Sequence, residues 1–185
     1  MVRTFVALLI PEAWAEYLGR IRADLSDQTS GLSWVKAENV HITLRFLGDL
    51  GDSGVRRAGA AVRRGAEGVA AVPARLGGLG GFPSLERPRV LWVGLAEGSE
   101  GATALARAVN DALRQDGFGP ADKPFRPHLT LARVREGARG LPAVRAYRPA
   151  PPPEAVVLDR VSLMKSDLEP AGARYTPLLE VRLRR

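Results

Sequence analysis

The stretches HITLRFLG (residues 41–48) and HLTLARV (residues 128–134) are near copies, each beginning histidine, apolar, threonine, leucine. The chain holds two histidines in 185 residues, and each opens one of these phrases. On an extended strand, residues i and i+2 share a face. His41 and Thr43 therefore project together, as do His128 and Thr130. Ile42, Leu44, Leu129 and Leu131 turn the other way, where a buried sheet face needs bulk. Two such strands side by side would furnish one cleft with two imidazoles and two hydroxyls.

Outward from these phrases, strand and helix patterns interleave. RTFVALLI (3–10) reads as a strand. PEAWAEYLGRIRADLSD (11–27) reads as a helix opened by proline, with Trp14, Leu18, Ile21 and Leu25 at helical spacing. LSWVKAENVHITLRFLG (32–48) holds two short strands around a polar turn at Ala37-Glu38-Asn39. DSGVRRAGAAVRRGAEG (52–68) is a helix with a basic face. ARLGGLGGF (74–82) and RPRVLWVGLA (87–96) are strands, and SEGATALARAVNDALRQDG (99–117) is a helix closed by Gly117. After HLTLARV comes a proline-rich loop, AYRPAPPPEA (146–155). AVVLDRVSLMKS (155–166) and RYTPLLEVRLRR (174–185) are the last strands. The order predicts an α+β protein of two similar lobes in one compact unit, residues 1–185, with one His-x-Thr strand in each.

Hydrophobic residues make up 45% and charged residues 25%, the balance of a globular chain. There is no cysteine, so neither disulfides nor thiolate chemistry are expected, and a reducing cytoplasm fits. FVALLI (5–10) is too short to span a bilayer and runs into a proline and a helix, not a small-residue cleavage site. Net charge is +7, carried almost wholly by arginine, since lysine occurs only at Lys36, Lys123 and Lys165. Arginine forks suit phosphate, so an RNA-like ligand fits. Codons rich in G and C produce the same excess of Arg, Ala, Gly and Pro, so charge alone does not decide.

Paired imidazoles and hydroxyls suit hydrolysis of a phosphodiester. One group must take a proton from the nucleophile while another gives one to the leaving oxygen. Histidine, with an ordinary pKa near ~6.5, serves both roles around neutral pH. Thr43 and Thr130 would hold the non-bridging oxygens. A zinc site normally needs three or four protein ligands; Asp49 or Asp122 could add to the histidines, but no spacing points to them, and no metal or other cofactor is expected. A serine acyl-transfer site would need a G-x-S-x-G elbow, which is missing.

The doubled motif resembles that of the 2H phosphoesterase superfamily. RTFVALLIPE, WVKAENVHITLRFLGD, RPRVLWVGL, RPHLTLARV and SLMKSDLEPAGARYTPL together resemble the RNA 2',3'-cyclic phosphodiesterases, also called 2'-5' RNA ligases, over nearly the whole chain. The resemblance implies an antiparallel sheet in each lobe with helices on its outer face and the active site between the lobes. It implies hydrolysis of a terminal 2',3'-cyclic phosphate to a 2'-phosphate, with reversible 2'-5' joining of RNA ends. It makes His41 the donor to the departing 3' oxygen and His128 the base that activates water; the chemistry alone leaves these roles interchangeable. The expected partners are RNA ends or small nucleotides bearing the cyclic phosphate, met by a monomer with no obligate protein partner and no membrane. A basic RNA-binding clamp without catalysis, and a two-histidine ribonuclease, are the competing readings.

Arg133 matches a family arginine near the phosphate, yet strict alternation sets it opposite His128; a bulge or the strand's end would reconcile the two. Alternation sets Arg45 beside His41 and Thr43, where it is a candidate to contact the phosphate. Phe5 and Phe46 are candidates to stack on a nucleobase, or else core residues. Trp34 and Trp92 read as core. Tyr175 falls in a resembling block with no role assigned.

Overall fold

A computed structural model describes residues 1–170 and 172–185. Along the chain run β1 (Val2–Leu8), α1 (Glu12–Ser26), β2 (Ser30–Trp34), a 3-10 turn (Ala37–Asn39), β3 (Ile42–Leu50), α2 (Asp52–Ala66), β4 (Val72–Phe82), β5 (Val90–Glu97), α3 (Ser99–Gln115), β6 (Leu129–Arg139), α4 (Leu141–Ala146), β7 (Val156–Leu158), β8 (Arg160–Glu169) and β9 (Gly172–Arg182). The short α4, with Pro142 in its first turn, is the one helix the sequence reading lacks.

The two motif strands lie at the middle of the sheet. Its order is β7-β4-β5-β6-β3-β1-β8-β9, all antiparallel, with β2 also on β6. β3 and β6 touch through a single residue pair, Ile42 with Leu129. These are the apolar residues directly after the two histidines. The sheet splays from that joint into two lobes, β3-β1-β8-β9 and β6-β5-β4-β7, each with its motif strand innermost.

Helices cover the apolar side. Trp14, Leu18, Ile21 and Leu25 of α1 are buried, as their spacing requires. The proline-rich loop is fastened to the same helix by the Tyr17 hydroxyl, which donates to the Ala150 carbonyl at 2.9 Å. α2 lies against the first lobe and packs on α3. Among the described residues no helix is long and apolar enough to cross a membrane.

The two central helices approach closely at Gly65. A Cβ there would sit 2.7 Å from Val109 Cα and 2.9 Å from the Ala108 carbonyl oxygen, both backbone atoms that cannot rotate away. Gly65→Ala should gain roughly 0.5–1 kcal/mol of helix propensity and lose more, roughly 1–3 kcal/mol, to overpacking. The expected result in a thermal melt is a Tm lower by roughly 2–8 °C. A Tm that rises would mean that the helices separate freely.

Candidate active site

Each histidine stands one residue ahead of its strand and is fixed the same way. His41 Nδ1 bonds the Asn39 carbonyl at 2.7 Å, and His128 Nδ1 bonds the Arg126 carbonyl at 2.6 Å, both two residues upstream. A carbonyl only accepts, so Nδ1 carries the proton in both rings and leaves Nε2 for chemistry. His41 Nε2 meets the Thr43 hydroxyl at 2.9 Å. The Asn39 side chain also donates to the Ala173 carbonyl at 2.7 Å, tying the turn that holds His41 to β9.

Aromatic rings back each imidazole. Phe5 stacks on His41, with centroids 4.8 Å apart and planes at 25°, and Tyr175 meets both rings edge-on at 4.9 and 5.5 Å. Phe82 and Trp92 do the same for His128, at 4.9 and 6.2 Å. Gly80 makes room for the indole: a Cβ there would lie 2.3 Å from the Trp92 ring. Phe5, at 3% exposure, is therefore spent on His41 and has no face for a nucleobase. Trp34 is half-buried on β2, paired with Ala132, as a core reading requires.

Burial disfavours the imidazolium at both sites. It drives His41 down to about 4, opposed by the Asn39 bond and reinforced by the nearby His128. His128 is lowered as well, again chiefly by burial and against its Arg126 bond. Burial raises the Tyr175 phenol, while Arg133 and Arg3 pull it back, so Arg133 lies close enough to act electrostatically on the ring that flanks His41.

Strict alternation fails in both motif strands, at the same place. Thr130 pairs with Trp92 and Ala132 with Leu91, leaving Leu131 as an extra residue. In β3, Thr43 pairs with Ala7 and Arg45 with Val6, leaving Leu44 extra. A bulge sets two successive side chains on one side and inverts the alternation beyond it. Leu131 and Ala132 are accordingly both buried, and Arg133 turns to the cleft with His128 and Thr130. Leu44 and Arg45 are likewise both buried, and Phe46 turns outward at 57% exposure.

This corrects the reading of Arg45 as a neighbour of the phosphate. It is 9% exposed, and its donors are engaged: Nη1 to Asn110 Oδ1 at 2.8 Å, Nη2 to the Gly119 and Pro120 carbonyls at 2.6 and 2.7 Å, and Nε to the Phe46 carbonyl at 3.2 Å. Arg45 borders the cleft as a strut between β3, α3 and the segment that follows α3.

The cleft encloses about 710 Å³, and Thr43, Phe46, Phe82, His128, Thr130 and Arg133 line it. His128 lines it directly, and the Thr43 hydroxyl that contacts His41 Nε2 lines it as well. Among the described residues no three His, Cys, Asp or Glu side chains gather as a metal site. The sequence reading missed Tyr175 and Phe82 as imidazole supports and the two carbonyls that set the tautomers. Every residue has a backbone carbonyl two positions upstream, so no sequence signal marks those two.

Two lobes meeting over twin His-x-Thr strands define a two-histidine, or 2H, phosphoesterase. The model of the 2'-5' RNA ligase superfamily matches residues 10–170, and the chain belongs to that family. A protein of Archaeoglobus fulgidus named RNA 2',3'-cyclic phosphodiesterase is 36% identical over 180 residues, spanning 96% of this chain and 98% of its own length. One of the same name from Aeropyrum pernix is 35% identical over 171 residues, 89% of this chain and 94% of its own. The crystal structure of E. coli LigT complexed with 3'-AMP shares the fold, with a TM-score of 0.79 at 24% identity over 100% of this chain and 99% of that one.

Proposed function

We propose that the protein hydrolyses RNA-terminal 2',3'-cyclic phosphate to a 2'-phosphate, with the two imidazoles as acid and base and without a metal. The observation that carries this reading is the matched pair of Nδ1 bonds, which leaves both Nε2 atoms in a proton-transferring state. The names of the relatives point to the same substrate.

In this mechanism His128 Nε2 takes a proton from water and the water oxygen attacks phosphorus. The bond from phosphorus to O3' breaks, and His41 Nε2–H gives its proton to that oxygen. The products are a 3'-hydroxyl and a 2'-phosphate. The assignment follows the family resemblance; in the structure His128 lines the open cleft, and His41 Nε2 contacts the Thr43 hydroxyl, which lines it. Thr43, Thr130 and Arg133 bind the non-bridging oxygens, and Phe46 offers the free aromatic face for the terminal base. A 5'-hydroxyl in place of the water would open the same ring to a 2'-5' linkage, so ligation is the same step with another nucleophile.

The test is incubation with a nucleoside 2',3'-cyclic phosphate in excess chelator, with identification of the product isomer. A 2'-phosphate is expected. No turnover, on this substrate and on a cyclic-phosphate-ended oligonucleotide alike, would favour the binding clamp.

The depressed pKa of His41 adds a pH signature. An anion beside an imidazole favours its charged form, so bound phosphate raises the value from about 4. Activity is lost on the alkaline side when the acid loses its proton. That limb should therefore lie at higher pH in the kcat profile, which reports the complex, than in kcat/KM, which reports the free protein. Coincident limbs would mean that the phosphate does not reach His41.

A further inference from the structure

A second cavity, of about 480 Å³, adjoins the cleft. Asn110 and the segment Ala121–Phe125 line both, so one stretch of chain is the wall between them. The far side of the second cavity is the face of α3 that carries Thr103, Arg107, Asn110 and Arg114.

The wall has no regular secondary structure, and the chain that leads into it is held by three arginines. The buried Arg45 guanidinium grips Gly119, Pro120 and Asn110. Upstream, Arg57 lies over the Phe118 ring at 5.5 Å, and Arg64 bonds Asp116 at 2.6 Å. A buried charge with its donors satisfied by carbonyls is costly to displace, so the start of the wall is fixed in place.

Its chemistry is that of a nucleotide site. Ala106, Ala121, Pro124 and Phe125 supply apolar surface for a base, and Arg107, Arg114 and Lys123 supply cations for phosphate. Two carboxylates face the same space, Asp111 and Asp122. Asp111 is paired to Arg114 at 3.6 Å, with both side chains more than half exposed, whereas Arg107 has no ion pair among the described residues. Lys123 lines both cavities, and Arg126 and Arg133 line the cleft, so cationic side chains run from the reaction site over the wall. Volume, apolar floor and cationic rim match one further nucleotide.

We propose that this cavity is a second nucleotide subsite, taking the residue immediately upstream of the nucleotide that bears the cyclic phosphate. The inference rests on the RNA-end reading above and sharpens it: the ligand is an oligonucleotide end, with its next phosphate passing over Lys123.

The test is calorimetric binding of a nucleoside 2'-phosphate and of a 5'-phosphorylated dinucleotide ending in the same 2'-phosphate, whose 5'-phosphate would reach Arg107 and Arg114, to wild type and to the Arg107→Ala/Arg114→Ala variant. Both arginines are exposed, and neither lines the reaction cleft. Wild type should bind the dinucleotide about tenfold more tightly, as one stacked base with one phosphate contact provides. The variant should lose that gain, with the mononucleotide Kd unchanged. Equal affinities in wild type, or a gain that survives the double substitution, would overturn the subsite. Because the readout is affinity, its outcome is separate from the turnover that tests the catalytic reading.

Discussion

His128→Ala should lower kcat on a nucleoside 2',3'-cyclic phosphate by about 10²–10⁴-fold, with product affinity within a few-fold of wild type. The magnitude is that of one positioned proton transfer. Affinity should survive because Thr43, Thr130 and Arg133, the proposed phosphate contacts, still line the cleft. His41→Ala should cost a similar factor, and the double variant little more than either single one, because acid and base serve one step. The profiles should separate the roles: without His128 the acid limb disappears, and without His41 the alkaline limb does. If both variants keep wild-type kcat and merely bind more weakly, the histidines only hold phosphate, and the clamp is the better description.

Arg133→Met should lower kcat/KM by about 10²-fold, the usual loss when a charge-assisted donor to a developing oxyanion is removed. Arg133→Lys should recover part of this, since it restores the charge without the fork. The contrast with Arg45 makes the measurement decisive. Arg45→Met would leave Asn110 and the Gly119 and Pro120 carbonyls without their donor, so its first effect is a lower Tm. Strict alternation would demand the reverse, a silent Arg133 and an Arg45 that contacts phosphate. Wild-type kcat/KM in Arg133→Met would return the phosphate site to that alternative.

The legible part of the site was what a period of two can state. His41 with Thr43, and His128 with Thr130, follow from i and i+2 before any bulge intervenes, and Ile42 and Leu129 between them are buried as that pattern demands. The helices were legible for the same reason: a 3.6-residue period in Trp14, Leu18, Ile21 and Leu25 has one way to bury itself. Period alone failed at the first extra residue. Leu44 and Leu131 look like ordinary strand residues, and nothing local distinguishes a bulged leucine from a paired one. Of the two roles open to Phe5, stacking ring or core, only the fold selects core, since its partner His41 heads the neighbouring strand and only strand pairing reveals that the ring is already covered.

By itself the sequence determined the two His-x-Thr pairs and their sharing of a face, because side-chain direction along one strand is a property of the backbone over three residues. It determined the helices and the interleaved order of the strands, because hydrophobic period is local. Only the tertiary structure decided that the two phrases meet, through Ile42 and Leu129, and which nitrogen of each ring is free. It also decided which arginine turns into the cleft beside His128 and which is taken up by the Asn110 side chain and the Gly119 and Pro120 carbonyls. Those outcomes depend on carbonyls, bulges and neighbouring strands, which the chain brings together only when the sheet forms.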